Sequence, residues 1–143
     1  MVKKEDVEAF KNELKNLNYY RKKIKEIDEK IKVLEYEMEA VKGVDYSKQH
    51  GSANPAAIEH KKLAMSDEME WYEESKSKWT KKIKDIILVL DNLERSDRDV
   101  VERICVDGVR YRELCDEFGI KSTSSLANAV NNAIAQALKK AGR

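Results

Sequence analysis

YRELCDEFGIKSTSSLANAVNNAIAQALKK, residues 111–140, decides how the rest of the chain is read. Its opening residues set Leu114 and Cys115 on the inner side of a short helix, and Gly119 then supplies a turn. A hydroxyl cluster follows, from Ser122 to Ser125. Beyond it Leu126, Val130, Ala133, Ile134, Ala137 and Leu138 recur at three and four, the spacing of one helix face. Opposite them fall Ser124, Ser125, Asn128, Asn131, Asn132, Gln136 and Lys139. A helix, a glycine turn and a second helix from about Ser122 or Thr123 to Lys140 make the order of a helix-turn-helix.

The second helix carries a polar face of an uncommon kind. Asparagine is a poor helix former, so three of them on one helix cost stability without a local return. Base recognition is one physical reason to keep them, because an amide pairs bidentately with adenine N6 and N7. Hydroxyls and backbone amides at a helix start suit phosphate oxygens. The bland reading is an ordinary polar surface or an Ala-rich oligomerisation helix. Register is open at one point. A common helix-turn-helix places an apolar residue six positions after its glycine, where this chain has Ser125, with Leu126 at seven. Either the turn is one residue longer or the helix is rotated.

Working back from Tyr111, a helix from Arg110 to Phe118 is expected, preceded by Val109 as a core plug and by Asp107–Gly108 as a helix stop. Ser96 and Asp99 resemble a capping box opening a helix at Asp97, with Val100, Val101, Ile104 and Cys105 on its inner face. The pattern changes near Asn92–Ser96, and a domain boundary is placed there.

Before that boundary two long seams appear. Val7, Phe10, Leu14, Leu17, Tyr20, Ile24, Ile27, Ile31, Leu34, Met38 and Val41 alternate in steps of three and four, with one extra three between Leu17 and Tyr20. This is a coiled-coil seam with a stammer. At ~1.5 Å per residue a helix from about Glu5 to Lys42 reaches on the order of 55 Å. Such a stripe needs a partner. Met65, Met69, Tyr72, Trp79, Ile83, Ile86, Leu90 and Leu93 supply one, with Lys76 standing at a seam position, on a helix from about Ala56 to Leu93. GVDYSKQHGSANP, residues 43–55, is the breaker-rich link between them. Two matched helices argue for an antiparallel hairpin.

The expected fold is therefore all-α: a long antiparallel coiled-coil hairpin over 1–94 with a loop at 43–55, then a three-helix helix-turn-helix domain over 95–143. Trp71, Trp79, Tyr19 and Tyr20 could stack on bases, but at helical spacing they read as core or interface packing. Runs such as RKKIKEIDEKIK read as solvated faces of mixed sign.

Composition agrees with long helices. Charged residues make up 38% of the 143 residues, mean hydropathy is −0.71, and there are only five glycines and one proline. Net charge is +1, so distribution matters more than total. Six of the seven arginines follow Glu94, and no acidic residue follows Glu117, against Lys121, Lys139, Lys140 and Arg143. Guanidinium forks suit phosphates and guanine edges. Cys105 and Cys115 fall at apolar helix positions without a CxxC pair, which suits reduced core thiols. A zinc site would need two further ligands, and His50 and His60 lie far off in sequence. No metal or cofactor is expected. The longest aliphatic run is IILVL at 86–90, so no membrane span is expected, and a soluble, cytoplasmic protein is. Phosphate-loop, nucleophile-elbow and HExxH motifs do not occur, and the carboxylates are interleaved with lysines, so the expectation is of no enzyme.

SDRDVVERICVDGVRYRELCDEFGI, residues 96–120, resembles region 4 of bacterial sigma factors. There a helix, a glycine turn and a Y-x-E-[IL]-A-x-x-[LF]-G-I helix precede the recognition helix. Tyr111, Glu113, Leu114, Phe118, Gly119 and Ile120 match, with Cys115 in place of the usual alanine. The arginines common on sigma-type recognition helices are missing. The full layout is similar to the RinA/ArpU-type regulators of phages and integrated elements, which activate late-gene transcription. The resemblance implies a sequence-specific DNA-binding transcription regulator of phage or prophage late genes. Arg110 and Arg112 would lie on phosphates, and Lys121, Ser122, Ser124, Ser125, Asn128, Asn131 and Asn132 would meet double-stranded DNA. The hairpin would make a homo-oligomer, dimer or higher, or touch host RNA polymerase. Two other readings stand beside it. One is a small terminase subunit that recognises a packaging site. The other is a coiled-coil adaptor that does not bind DNA.

Overall fold

The computed structural model describes residues 2–42 and 55–143, and every element among them is helical. The link expected at 43–55 lies outside the described residues except for Pro55, which opens a helix. Its fixed φ and missing N–H fit a first helical position. The helices are α1 (Lys4–Lys15), α2 (Leu17–Lys42), α3 (Pro55–Leu90), α4 (Arg95–Val101), α5 (Tyr111–Phe118) and α6 (Thr123–Lys140). A single π-turn, Glu102–Val106, continues α4. None of the described helices is long and apolar enough to cross a membrane.

The first long helix is interrupted. α1 ends at Asn16, whose N–H is shared between the carbonyls of Asn12 (3.3 Å) and Glu13 (3.1 Å). The Asn16 carbonyl accepts from Tyr20 N–H at 2.9 Å, so the helix resumes at once as α2. The break sits one position before the irregular step in the seam. A stripe that skips forward by three twice in succession drifts around a straight helix. The interruption at Asn16 lets both Leu14 and Leu17 remain buried.

The chain forms two compact units, and they do not divide at residue 95. One comprises Met1–Arg21 together with Lys81–Arg143, and the other Lys22–Thr80. In the first unit, Val7, Phe10 and Leu14 of α1 and Leu17 of α2 share a core with Ile86, Val89 and Leu90 of α3. Val101, Cys105, Val130, Ile134, Ala137 and Leu138 complete it. α1 packs directly against α6 and against the π-turn. A smaller cluster of Leu114, Cys115 and Leu126, with Val109 and Ile120 against it, fixes α5 on the start of α6. Val100, Ile104 and Tyr111 touch both clusters.

Helix starts differ from the local signals in one place. α4 begins at Arg95 with Glu94 as its cap and no side-chain capping bond, so the box expected from Ser96 and Asp99 does not form. The end of the α4 segment does follow its glycine: Gly108 takes φ +73° after Asp107 N–H closes the π-turn on the Glu102 carbonyl at 2.9 Å.

In the second unit Leu34 and Val41 of α2 and Met65 of α3 are buried together, with Met38, Ile58, Met69 and Tyr72 against them. Lys76, the one charged residue in that seam, places its Nζ 2.6 Å from Asp28 Oδ1. Both are partly exposed, which lowers the desolvation cost of ions among apolar neighbours. Val33, Tyr36, Leu63 and Trp71 of this unit stay exposed, Trp71 by 61%.

Candidate nucleic-acid interface

The joint between α5 and α6 is built from local hydrogen bonds. α5 stops where Gly119 adopts φ +70°, a region that disfavours any side chain with a Cβ, and Ile120 N–H then reaches back to the Cys115 carbonyl at 2.9 Å. Ser122 caps α6: its Oγ accepts Ser125 N–H at 3.4 Å, and its carbonyl accepts Leu126 N–H at 3.3 Å. Cys115 Sγ lies 3.7 Å from the same carbonyl, tying the inner side of α5 to the turn. A Gly119→Ala variant meets no steric neighbour, since nothing lies within 4 Å of the added Cβ. Its expected cost is the left-handed backbone alone, about 1–2 kcal/mol, read as a lowered urea midpoint with helical content unchanged.

Register at this joint follows from the cap. With Ser122 outside the helix and Thr123 its first residue, Leu126 is 5% exposed and sits in the α5 cluster, while Ser125 faces out. Leu126, seven positions after Gly119, is thus the first inward residue of α6. Val130, Ile134, Ala137 and Leu138 continue inward, whereas Ala133 is only half-buried. Ser125, Asn128, Asn132 and Gln136 are all exposed and succeed one another at three, four and four, so they form one stripe. Lys139 and Lys140 lie exposed in the last turn, where positive charge complements the helix dipole.

Of the residues singled out in the sequence, Ser124, Ser125, Asn128, Asn132 and Lys121 are exposed on α6 or its turn. Ser122 is exposed but engaged as the cap. Arg110 caps α5 by its backbone and Arg112 lies in the first turn, both exposed and neither with an ion pair among the described residues. Asn131 is placed differently. It is half-buried, its Oδ1 is enclosed without a hydrogen-bond partner, and it lines a cleft beside the start of α1. The exposed stripe on α6 therefore runs through Asn128 and Asn132 and leaves Asn131 to one side.

The arginine-rich stretch divides into two groups. Arg98 is held by Asp91 (2.7 Å) and by Glu102 (3.0 Å). Arg103 grips both carboxylate oxygens of Glu117, at 3.2 and 2.6 Å, and so ties the π-turn to the end of α5. That guanidinium holds the Glu117 carboxyl below its ordinary range, and Glu117 in turn raises Arg103. Arg143 pairs with Glu13 at 3.7 Å and lies 5.8 Å over the Phe10 ring. These three brace the fold. Clustering in sequence could not separate them from Arg110 and Arg112: Glu102 follows Arg98 on the next turn, but Glu117 and Glu13 reach Arg103 and Arg143 from other helices.

The two thiols are buried and free. Burial pushes the Cys105 thiol up, against a smaller opposite pull from Lys11 and Lys15, so it is a poor nucleophile near neutral pH. Tyr111, the first residue of the sigma-like pattern, is likewise raised by burial.

Lys3 and Lys4 were not singled out in the sequence. They stand at the cap and first position of α1 and line the same cleft as Asn131 and Asn132. No family model, no curated protein and no solved structure matches this chain.

Proposed function

We propose that this chain is a sequence-specific DNA-binding transcription regulator of the RinA/ArpU kind, serving phage or prophage late genes. In this reading α5, the Gly119 turn and α6 act as a helix-turn-helix with α6 in the major groove. The observation that carries it is the exposed stripe Ser125, Asn128, Asn132 and Gln136 on a helix whose opposite face is fully buried. Amides at that spacing can read adenine edges, and the absence of any acidic residue after Glu117 spares the helix repulsion from phosphates. Lys121, Arg110 and Arg112 supply positive charge at the turn and the start of α5.

One such module makes few contacts, so useful affinity calls for two of them on spaced half-sites. α2 and α3 would pair as an antiparallel hairpin, and the exposed Val33, Tyr36, Leu63 and Trp71 give that region a surface for self-association or for host RNA polymerase.

Electrophoretic shifts with late-promoter fragments of the chain's own genome test this reading. Salt-sensitive binding that prefers one fragment is expected, and its absence refutes the proposal. Asn128→Ala and Asn132→Ala should each weaken specific binding by about 1–3 kcal/mol, on the order of 10- to 100-fold, while leaving non-specific affinity nearly unchanged. Equal loss on both kinds of DNA would remove base reading from these two residues. Light scattering on the eluted protein gives the assembly: a dimer fits the regulator, and a closed many-membered ring fits a terminase subunit.

A further inference from the structure

α1 begins beside the middle of α6. A cleft of about 210 Å³ lies between them, with Lys3, Lys4 and Glu8 on one side and Asn131 and Asn132 on the other. We propose that Lys3 and Lys4 hold a backbone phosphate of duplex DNA over this cleft, making the start of α1 a second part of the nucleic-acid surface. This rests on the DNA-binding reading of α6 and adds a phosphate clamp to it.

Three observations support the placement. Both lysines are exposed, and neither has an ion pair among the described residues. They stand at the cap and first position of α1, where the helix dipole opposes positive charge, so helix stability does not explain them. The acidic groups nearby are occupied or turned elsewhere: Glu8 pairs with Lys11 at 3.5 Å, Asp6 Oδ2 accepts Lys3 N–H at 2.8 Å, and neither Glu5 nor Asp6 lines the cleft. The available groups are thus two lysine ammonium donors, suited to a phosphodiester oxygen.

Position makes the arrangement useful. Asn132 belongs both to the exposed α6 stripe and to the cleft wall, so a duplex read at Asn128 and Asn132 brings its flanking strand past α1. Backbone contacts from a second element beside the recognition helix fix register without reading sequence.

The test is the salt dependence of DNA binding by the full chain, comparing wild type, Lys3→Ala/Lys4→Ala and Lys3→Arg/Lys4→Arg. Each phosphate contact contributes about 0.9 to the slope of log K against log salt, so the alanine pair should lower the slope by about 0.9 and weaken binding roughly tenfold at 0.1 M salt. The loss should be equal on specific and non-specific duplexes, with the circular-dichroism melt unchanged, and the arginine pair should restore it. If wild type binds DNA and the alanine pair keeps its slope, the clamp is overturned and the α6 reading stands. If wild type binds no duplex at all, both fall. A loss in the alanine pair confined to one sequence would also overturn the clamp, since a phosphate contact carries no base preference.

Discussion

Residues 95–143, produced alone, should fail to fold. The sequence pattern marks them as a self-sufficient domain, but the inner face of α6 is covered in part from outside that range. Val130, Ile134 and Leu138 share one core with Val7, Phe10, Leu14, Leu17, Ile86, Val89 and Leu90, as well as with Val101 and Cys105, and α1 packs directly on α6. Full burial of a large aliphatic side chain is worth about 1.5–3 kcal/mol, so the three α6 residues alone account for roughly 5–9 kcal/mol. A whole small domain has about 5–15 kcal/mol of net stability. A piece of about fifty residues is already near the lower limit for a single core, and this one would keep the Leu114, Cys115 and Leu126 cluster but only the Val101, Cys105 and α6 part of the main core. The expected result is weak helicity with no cooperative melt and no dispersed amide spectrum. A fragment that melts cooperatively near the full chain's midpoint would show that α1 and the end of α3 are dispensable.

Phe10→Ala is the single substitution expected to do most damage. The ring is 1% exposed, it sits in the cluster where α1 meets α6, and Arg143 lies 5.8 Å above it. Removing a buried phenylalanine side chain costs about 3–5 kcal/mol through lost transfer energy and the cavity left behind. The cation over the ring adds roughly 0.5–1 kcal/mol. With a urea slope of about 1–3 kcal/mol per molar, the midpoint should fall by on the order of 2 M. A fall below about 0.5 M would mean that α1 is loosely held and that its packing on α6 contributes little.

Comparison of particular elements shows what the sequence made legible. Helical class, the inward positions of both seams and the span of α6 follow from three–four spacing, which is a property of one element at a time. Val7 through Val41 and Met65 through Leu93 are all buried or half-buried as that spacing requires, with Lys76 half-buried beside Asp28. Boundaries were less legible. The stammer marked the neighbourhood of Asn16 but not that the helix breaks there, since a drifting stripe can be met by bending or by interruption. Ser96 with Asp99 looked like a start, but Glu94 already supplied an extended cap position one residue before Arg95. Distance from Gly119 left Leu126 ambiguous, and only the Ser122 cap fixes it.

The candidate site divides in the same way. Exposure of Ser125, Asn128 and Asn132 could be read from one helix. The half-burial of Asn131, the engagement of Arg103 with Glu117, and the arrival of Lys3 and Lys4 beside α6 all depend on residues of another element. No periodicity records such meetings.

The packing of α1 on α6 also sets an order of events during synthesis. The apolar stripe of Val7, Phe10 and Leu14 leaves the ribosome first, and the surface that covers it includes residues made last among the helices. At ~5–20 residues per second, the interval between them is on the order of ten seconds. Until α6 is complete, that stripe has only part of its cover, from Ile86, Val89 and Leu90 of α3 and from Val101 and Cys105. Completion of α6 is therefore the step that commits the chain to its native core.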